Sequence, residues 1–556
     1  MNKKVCSFPI MFALLALLIG TCAVVFPASA QAAPTSTGSI TVSGTVASSY
    51  DAYQIFSANV VDGDSDAKIA TDLAWASDAV RDAALPVLHS AGMPNSQTTA
   101  QEAAEWLNTD SHLTSALSAQ LARSLQSSGA VSVALNAGTE AKLPCGYWLI
   151  VADDDAIAQN EAGTAPIMAL VGGSAVTVKP KAATPKVSKH VLEDSTDAWQ
   201  KAADATVADD LYWRLSATVP AGLTAYDTYT VQFVDTMSAG LDPSKVASSM
   251  RVYVAAGADG GFDAVQTGKD GRAGTEPAKG WTDITAQCAT KVAADGKTFT
   301  VRTGDLIAAL GGADAFAAGA RVVAVYNAPL NSACNHGIAK GNPNEVYLRY
   351  PRSPFADQSG DAGFTRTPSD DACAYTWDLA LTKRGSDGDK PLAGAVLSIA
   401  DDRGRTLAAD GTWDAEGKAT VTTGEDGRAT VSGVDSGKLE VRELKAPKGY
   451  TAFEGTRPVT VKAEGLDVDQ VAAAKPKLTI TAESPLRADS ADGSTGSLEA
   501  SLINTPTGTP PSITTGGFMP STGDMAMYAA AAAAVAGAAL IVVALLVKRG
   551  GGSHKE

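Results

Sequence analysis

The sequence predicts a mainly β chain of tandem β-sandwich domains, the first with a helical insertion. Three observations predict it. Short apolar strand signals recur from about residue 38 to residue 504. One Ala- and Leu-rich stretch, between about 78 and 126, changes to a spacing of four. A length of 556 residues allows about three domains with sizeable cores.

Composition narrows the function classes. The net charge is −16, with 19% charged residues and no basic stripe, which argues against nucleic acid as a partner. Such a balance is ordinary for a solvated surface protein. Only five histidines are present and they are scattered. No Ser-His-Asp or Cys-His arrangement has a supporting motif, and no Gly-rich loop cradles phosphate, so a secreted enzyme is the weakest reading. No metal site and no cofactor are expected.

The chain opens with Lys3 and Lys4, an apolar stretch from Phe8 to Phe26, and Pro27-Ala28-Ser29-Ala30. That is a secretory signal peptide, 1–30, with cleavage after Ala30. Cys6 and Cys22 leave with it, and no typical lipobox surrounds Cys22. Cys145, Cys288, Cys334 and Cys373 remain; an exported chain can pair them in three ways, and Cys288 with Cys334 is the mild preference.

The first domain, 31–181, begins with an alternating strand that places Ile40, Val42 and Val46 on one face. The helical stretch follows, with Ala103 and Leu107, then Leu113, Leu117, Leu121 and Leu125. Strands return at 147–151 and 165–178. Asp62-Gly-Asp-Ser-Asp66 starts like a calcium loop but lacks Gly at its sixth position and Glu at its twelfth, so it reads as a loop only. The domain closes on Val176-Thr-Val-Lys-Pro-Lys181. Val176 and Val178 share a strand face, which puts Lys179 and Lys181 on the other.

The second domain, 182–372, has strand signals at 187–191, 211–219, 229–234, 250–254, 298–302, 321–326 and 346–350, a sandwich count. Parity puts Lys189 with Val187 and Val191, Asp235 with Val231 and Phe233, and Arg352 with Leu348 and Tyr350. Three polar residues thus sit on apolar faces. An ion pair from Asp235 to Lys189 or Arg352 is expected.

The third domain, 373–510, repeats the pattern. Lys383 ends the face of Tyr375, Trp377, Leu379 and Leu381; Glu443 ends Leu439 and Val441; Asn504 ends Leu498, Ala500 and Leu502. A lone buried Lys, Glu or Asn is usually a satisfied core residue. Three together make a reacting set. Burial favours the neutral, nucleophilic amine of Lys383. An acid at Glu443 can polarise the Asn504 carboxamide and shuttle protons while ammonia leaves. The first domain offers no such trio.

The segment 511–556 is a Thr-, Pro- and Gly-rich linker, the pentapeptide Met519-Pro520-Ser521-Thr522-Gly523, an uncharged apolar run at 525–547, and Lys548 and Arg549. As a helix the run reaches roughly 33 Å, enough to cross a bilayer, with the basic tail on the cytoplasmic side. A plain C-terminal anchor is the simpler alternative.

Four stretches carry a family resemblance. The pentapeptide resembles the LPxTG sorting signals of Gram-positive surface proteins, with Met519 in the Leu position. That resemblance implies cleavage by a sortase between Thr522 and Gly523 and transfer of the threonine acyl group to an amine. The stretch 176–181 resembles the pilin motif Val-x-Val-Tyr-Pro-Lys, with Lys179 in the Tyr position, which implies Lys181 as the accepting amine. The second domain resembles the middle domain of backbone pilins, where a lysine and an asparagine fuse beside a buried acid. Lys189 and Asp235 match the lysine and acid; the expected asparagine position holds Arg352, and Asn342 and Asn344 precede the strand and fit less well. The third domain resembles the collagen-adhesin B-type fold, an Ig-like sandwich, through Lys390-Pro-Leu-Ala-Gly-Ala395, Thr423-Gly-Glu-Asp-Gly427 and the E-box around Glu443. That match implies Lys383 as nucleophile, Asn504 as acyl partner and Glu443 as catalytic acid.

Together these imply a backbone pilin, a shaft subunit that is not a turnover enzyme. It is expected to be secreted, wall-anchored and polymerised through Lys181 and Thr522. The implied partners are further copies of itself, pilus and housekeeping sortases and peptidoglycan, with ancillary pilins and host surface ligands beyond them. The alternative is a monomeric wall-anchored adhesin or an ancillary pilin.

Overall fold

The structure, a computed structural model, describes residues 36–508 apart from 65–66, 110, 181–183 and 269–271. The signal peptide, Lys181, the pentapeptide 519–523 and the apolar run 525–547 lie outside the described residues. No described helix is long and apolar enough to cross a membrane.

The chain is mainly β, as expected. In its first part the long strand Ser49–Asp62 sits between Lys68–Trp75 and Gly146–Ala152, with Ile167–Val171 beyond and Ser132–Asn136 also pairing to it. Both faces of this sheet are covered. Tyr53, Ile55, Leu149 and Val151 pack under the helices. Tyr50, Ala52, Trp148 and Ile150 pack on a small sheet built from Thr37–Val42, Glu140–Pro144 and Val176–Val178. The helical insertion is three helices, α1 (Asp78–Ser90), α2 (Ala100–Asn108) and α3 (Ser115–Ser128). Local chemistry sets their ends. Ser77 caps α1 by accepting from Val80 N at 3.2 Å. Thr99 and Glu102 form a reciprocal capping box on α2. Gly129, at φ 72°, ends α3 in the left-handed region. Leu117, Leu121 and Leu125 are buried on α3, whereas Leu113 precedes the helix and stays 37% exposed.

The middle part is a sandwich of two sheets. One runs Ala198–Gln200, Lys186–Glu193, Tyr212–Val219, Ala320–Asn327, Arg251–Ala256, Thr282–Asp283. The facing sheet runs Ala202–Asp204, Asp370–Tyr375, Asn342–Pro351, Gln232–Met237, Thr298–Arg302, Ala289–Val292, with Phe364–Arg366 also on Asn342–Pro351. Trp213, Tyr229, Phe233, Phe299, Tyr326 and Tyr350 fill the space between them. The last part is a second sandwich, in which the first strand, Trp377–Gly385, lies parallel to and beside the last, Ser497–Pro506. Its core holds Trp377, Leu379, Leu381, Val441, Leu498 and Leu502.

The middle and last sandwiches meet through specific polar contacts. Trp377 Nε1 donates to Asp204 at 2.6 Å. The Arg405 guanidinium grips both oxygens of Asp209 at 2.6 and 2.7 Å. His336 Nδ1 lies 2.6 Å from Asp378.

The expected disulfides are not formed: Cys145, Cys288, Cys334 and Cys373 are all unpaired thiols. Their surroundings give the reason. Cys288 Sγ points at the Ile284 carbonyl, 3.3 Å away, beside the turn Thr285–Gln287. Cys334 instead packs on Gly240 in the loop that follows Ala320–Asn327. Burial pushes the Cys288 and Cys373 thiols up to about 11, so both behave as small hydrophobes.

Candidate functional site

The parallel pairing of the first and last strands builds the site of the last sandwich. It sets Lys383 opposite Leu502 and Gly385 opposite Asn504, so both polar side chains leave the same sheet on its inner face. Glu443 enters from the facing sheet, on Gly437–Lys445. All three are buried: Lys383 is 0% exposed, Asn504 2% and Glu443 6%. The Lys383 ammonium donates to the Asn504 carboxamide oxygen. It also lies 3.1 Å from Glu443 Oε1. Asn504 Nδ2 donates to both Glu443 oxygens, at 2.9 and 3.0 Å, and the Phe453 amide fixes Oε2 at 3.1 Å. Burial brings the Lys383 amine down to about 8, against the opposing pull of Glu443. A neutral amine is therefore accessible near neutral pH. Glu443 thus touches both the Lys383 and the Asn504 side-chain nitrogens.

The middle sandwich brings a second set together. Lys189 and Asp235 form a fully buried ion pair, the contact expected from parity. Arg352 is not part of it. Its strand ends at Pro351, and the guanidinium turns towards the first domain, donating to Asp154 O at 3.2 Å. The amide that arrives instead is Asn344. The strand begins at Asn342, four residues before the expected start, and Asn344 lies inside it opposite Met237, with the Asp235–Val346 pair next along the same face. Tyr326 joins the set. Its hydroxyl accepts from Lys189 Nζ at 2.9 Å and from Asn344 Nδ2 at 2.7 Å, and donates to Asp235 at 3.1 Å. Lys189, Asp235, Tyr326 and Asn344 are all 0% exposed. Burial lowers the Lys189 amine to about 8 and raises the Asp235 carboxyl. Asp235 Oδ1 and Asn344 Oδ1 have no hydrogen-bond partner. Tyr326 carried no signal in the sequence beyond a buried strand position.

The remaining expectations are simply placed. Val178 is buried while Thr177 and Lys179 are exposed, the alternation expected of 176–179. Asp62 spends its carboxylate on Ser174 N at 2.9 and 2.8 Å and on Lys68 at 3.3 Å. Among the described residues no group of three or more His, Cys, Asp or Glu is arranged to hold a metal ion.

Residues 378–475 match the family of SpaA prealbumin-like fold domains. The trypsin-resistant surface T6 protein of Streptococcus pyogenes serotype M6 is 31% identical over 143 residues, 24% of this chain and 24% of that protein. The chain thus matches about a quarter of the length of that curated relative. Among solved structures, the T6 backbone pilin of the same serotype gives a TM-score of 0.45 at 17% identity, covering 85% of this chain and 98% of that one. The major pilin SpaD of Corynebacterium diphtheriae gives 0.41 at 15% identity, covering 85% and 98%. Residues 378–475, which hold Lys383 and Glu443, are thus similar to SpaA prealbumin-like fold domains, and over 143 residues the chain is similar to a streptococcal surface protein.

Proposed function

We propose that the chain is a backbone pilin, the shaft subunit of a covalently polymerised pilus anchored to the cell wall. One observation carries the reading. Two consecutive sandwiches each bury a lysine, an acid and an asparagine between the first strand and a strand near the C-terminal end. A globular enzyme has no need of two such sets, whereas a subunit that transmits tension does; a wall-anchored monomer would differ only in not joining copies through Lys181.

In the last domain the reaction is an amide exchange. Glu443 takes a proton from the Lys383 ammonium, and the freed amine attacks Asn504 Cγ. The tetrahedral centre collapses as Glu443 returns that proton to Nδ2; ammonia departs, and Glu443 takes the second proton from the lysine nitrogen and ends protonated. One C–N bond breaks, one forms, and no oxidant or cofactor takes part. In the middle domain Lys189 is the nucleophile, Asn344 the acyl partner and Asp235 the acid, with Tyr326 holding the amine and the amide on one hydroxyl. The two orphaned oxygens support this. An unsatisfied buried polar atom costs about 1–3 kcal/mol. Once the amide nitrogen has left, a protonated Asp235 can donate to the Asn344 carbonyl, and both orphans are satisfied. The raised Asp235 carboxyl suits that protonated state.

Polymerisation then joins Lys181 of one subunit to Thr522 of the next through a sortase, and the last subunit is passed to peptidoglycan. The exposed Lys179 beside it supports a solvent-reachable acceptor strand. The test is an immunoblot of wall extracts boiled in SDS. Wild type gives a ladder of high molecular weight, and Lys181→Ala collapses it to monomer. A single band in both strains overturns the shaft reading in favour of a wall-anchored monomer.

A further inference from the structure

The outward face of the middle domain carries a row of arginines. Arg302 and Arg349 both lie opposite Gln232 on the strand between them, and Arg349 lies opposite Arg366 on the next strand out. Residues directly opposite in neighbouring strands point to the same side. Three guanidiniums thus share one row, about 14 Å from end to end at the usual strand spacing. Like charges facing each other across strands weaken a sheet. In a chain of net charge −16 such a grouping is not explained by composition.

The row is built rather than loose. Arg302 and Arg349 both stack over the Phe364 ring, at 5.2 and 5.7 Å, and Arg366 lies over the Tyr347 ring at 5.1 Å. Among the described residues only Arg349 of the three has an ion pair, with Asp361 at 2.8 Å, and that carboxylate is 78% exposed. Arg302 donates to the Gln358 carbonyl and feels Asp357 through space. Arg349 and Arg366, together with Arg352, line a cleft of about 490 Å³ whose other wall is Asp155, Ile157 and Gln159 of the first domain.

We propose that this cleft binds an anionic polysaccharide bearing sulfate or carboxylate groups. The guanidinium fork matches either group with two hydrogen bonds. The aromatic rings beneath hold the forks in place; Arg349 also leans on the exposed Asp361 and on Gln232, whereas Arg366 has no ion pair among the described residues. An open cleft of this size seats a drug-sized ligand, about two sugar rings and far less than a folded partner. Successive anionic groups on a polymer can meet successive arginines. The inference does not depend on polymerisation, so its failure and that of the shaft reading are separable.

The test uses the full-length chain on immobilised dextran sulfate, hyaluronan and neutral dextran. Binding to at least one polyanion, weakened by salt and absent on neutral dextran, is expected. Which polyanion binds tells sulfate from carboxylate. Arg349→Gln with Arg366→Gln should weaken binding by roughly tenfold or more. The control pair Arg428→Gln with Arg487→Gln, on the last domain, should leave it unchanged. Arg366→Thr should melt no lower than wild type, because it relieves repulsion. Equal weakening by both pairs, no binding at low salt, or a marked fall in melting temperature for Arg366→Thr each overturns the proposal. Self-association that the site variants abolish, without polyanion binding, overturns it in favour of an acidic protein partner.

Discussion

Replacing Glu443 with Gln keeps the shape of the buried set but removes the proton shuttle. Lys383 and Asn504 stand 121 residues apart in sequence. Cross-linking a loop of that length stabilises by about 5 kcal/mol in the chain-entropy account. For a domain of this size each kcal/mol moves the melting midpoint by about 3–5 °C. Glu443→Gln should therefore lower the midpoint of the last domain by roughly 15–25 °C. A buried lysine left without its carboxylate adds to that loss. The triple variant Lys383→Met, Glu443→Gln, Asn504→Leu separates the two effects, since it removes the unpaired charge along with the bond. Intact mass is the first assay. The wild-type chain should lack two ammonias and Glu443→Gln only one. Calorimetry is the second. A wild type with its full calculated mass refutes the chemistry. A Glu443→Gln chain that regains its ammonia yet melts within a few degrees of wild type refutes the energetic argument.

Further outcomes are expected. Asn344→Ala should restore one ammonia by intact mass, while Arg352→Ala should restore none; the reverse result would return the acyl partner to Arg352's neighbourhood. The junction of the middle and last domains should weaken as pH rises. Glu193, buried beside Asp204, has its carboxyl raised to about 8, and a raised carboxyl contributes stability that is complete below its unfolded value of about 4.3 and lost as pH passes through the folded one. Asp194, raised to about 6, and Asp435, raised by burial and by Asp204, act in the same direction. Melting temperature followed from about pH 4 to pH 8 should fall, and Glu193→Gln should flatten the slope; a wild-type curve that rises over this window would contradict the assignment.

The last-domain set was legible because each member ends an apolar run at a spacing of two. Parity alone aims Lys383, Glu443 and Asn504 inward, and the pairing of first and last strands does the rest. The middle-domain set was half legible. Lys189 and Asp235 obey the same rule, but Asn342-Pro-Asn-Glu345 reads as a turn, which puts the predicted start of the strand at Val346. Asn344 nevertheless keeps the parity of Val346, Leu348 and Tyr350, all buried, and that signal, passed over for Arg352, could have found it. Arg352 continues the same parity on paper but lies beyond Pro351, where the ladder stops. Tyr326 lay beyond reach, because its role depends on which sheet faces which. Counting cysteines gives how many thiols there are and nothing of where the fold puts them, so the disulfides failed.

The placement of the two sets bears on how tension passes through the chain. In a shaft subunit the load would enter the last domain at Trp377–Gly385 and leave at Ser497–Pro506, two neighbouring parallel strands that would otherwise slide apart in shear. A bond from Lys383 to Asn504 carries the load directly, and the residues between them drop out of the force path. In the middle domain the proposed bond would run from the first strand to Asn344, so the stretch after it, including Asp370–Tyr375, would remain under load. That strand is held on both sides, by Ala202–Asp204 and by Asn342–Pro351. Single-molecule extension should separate the two cases. Wild type should show no release from the last domain. Asn504→Ala should release the enclosed segment, about 400 Å at full extension for a separation of 121 residues. A release of that length from the wild-type chain would mean that the Lys383–Asn504 bond is absent, however well the three side chains are placed.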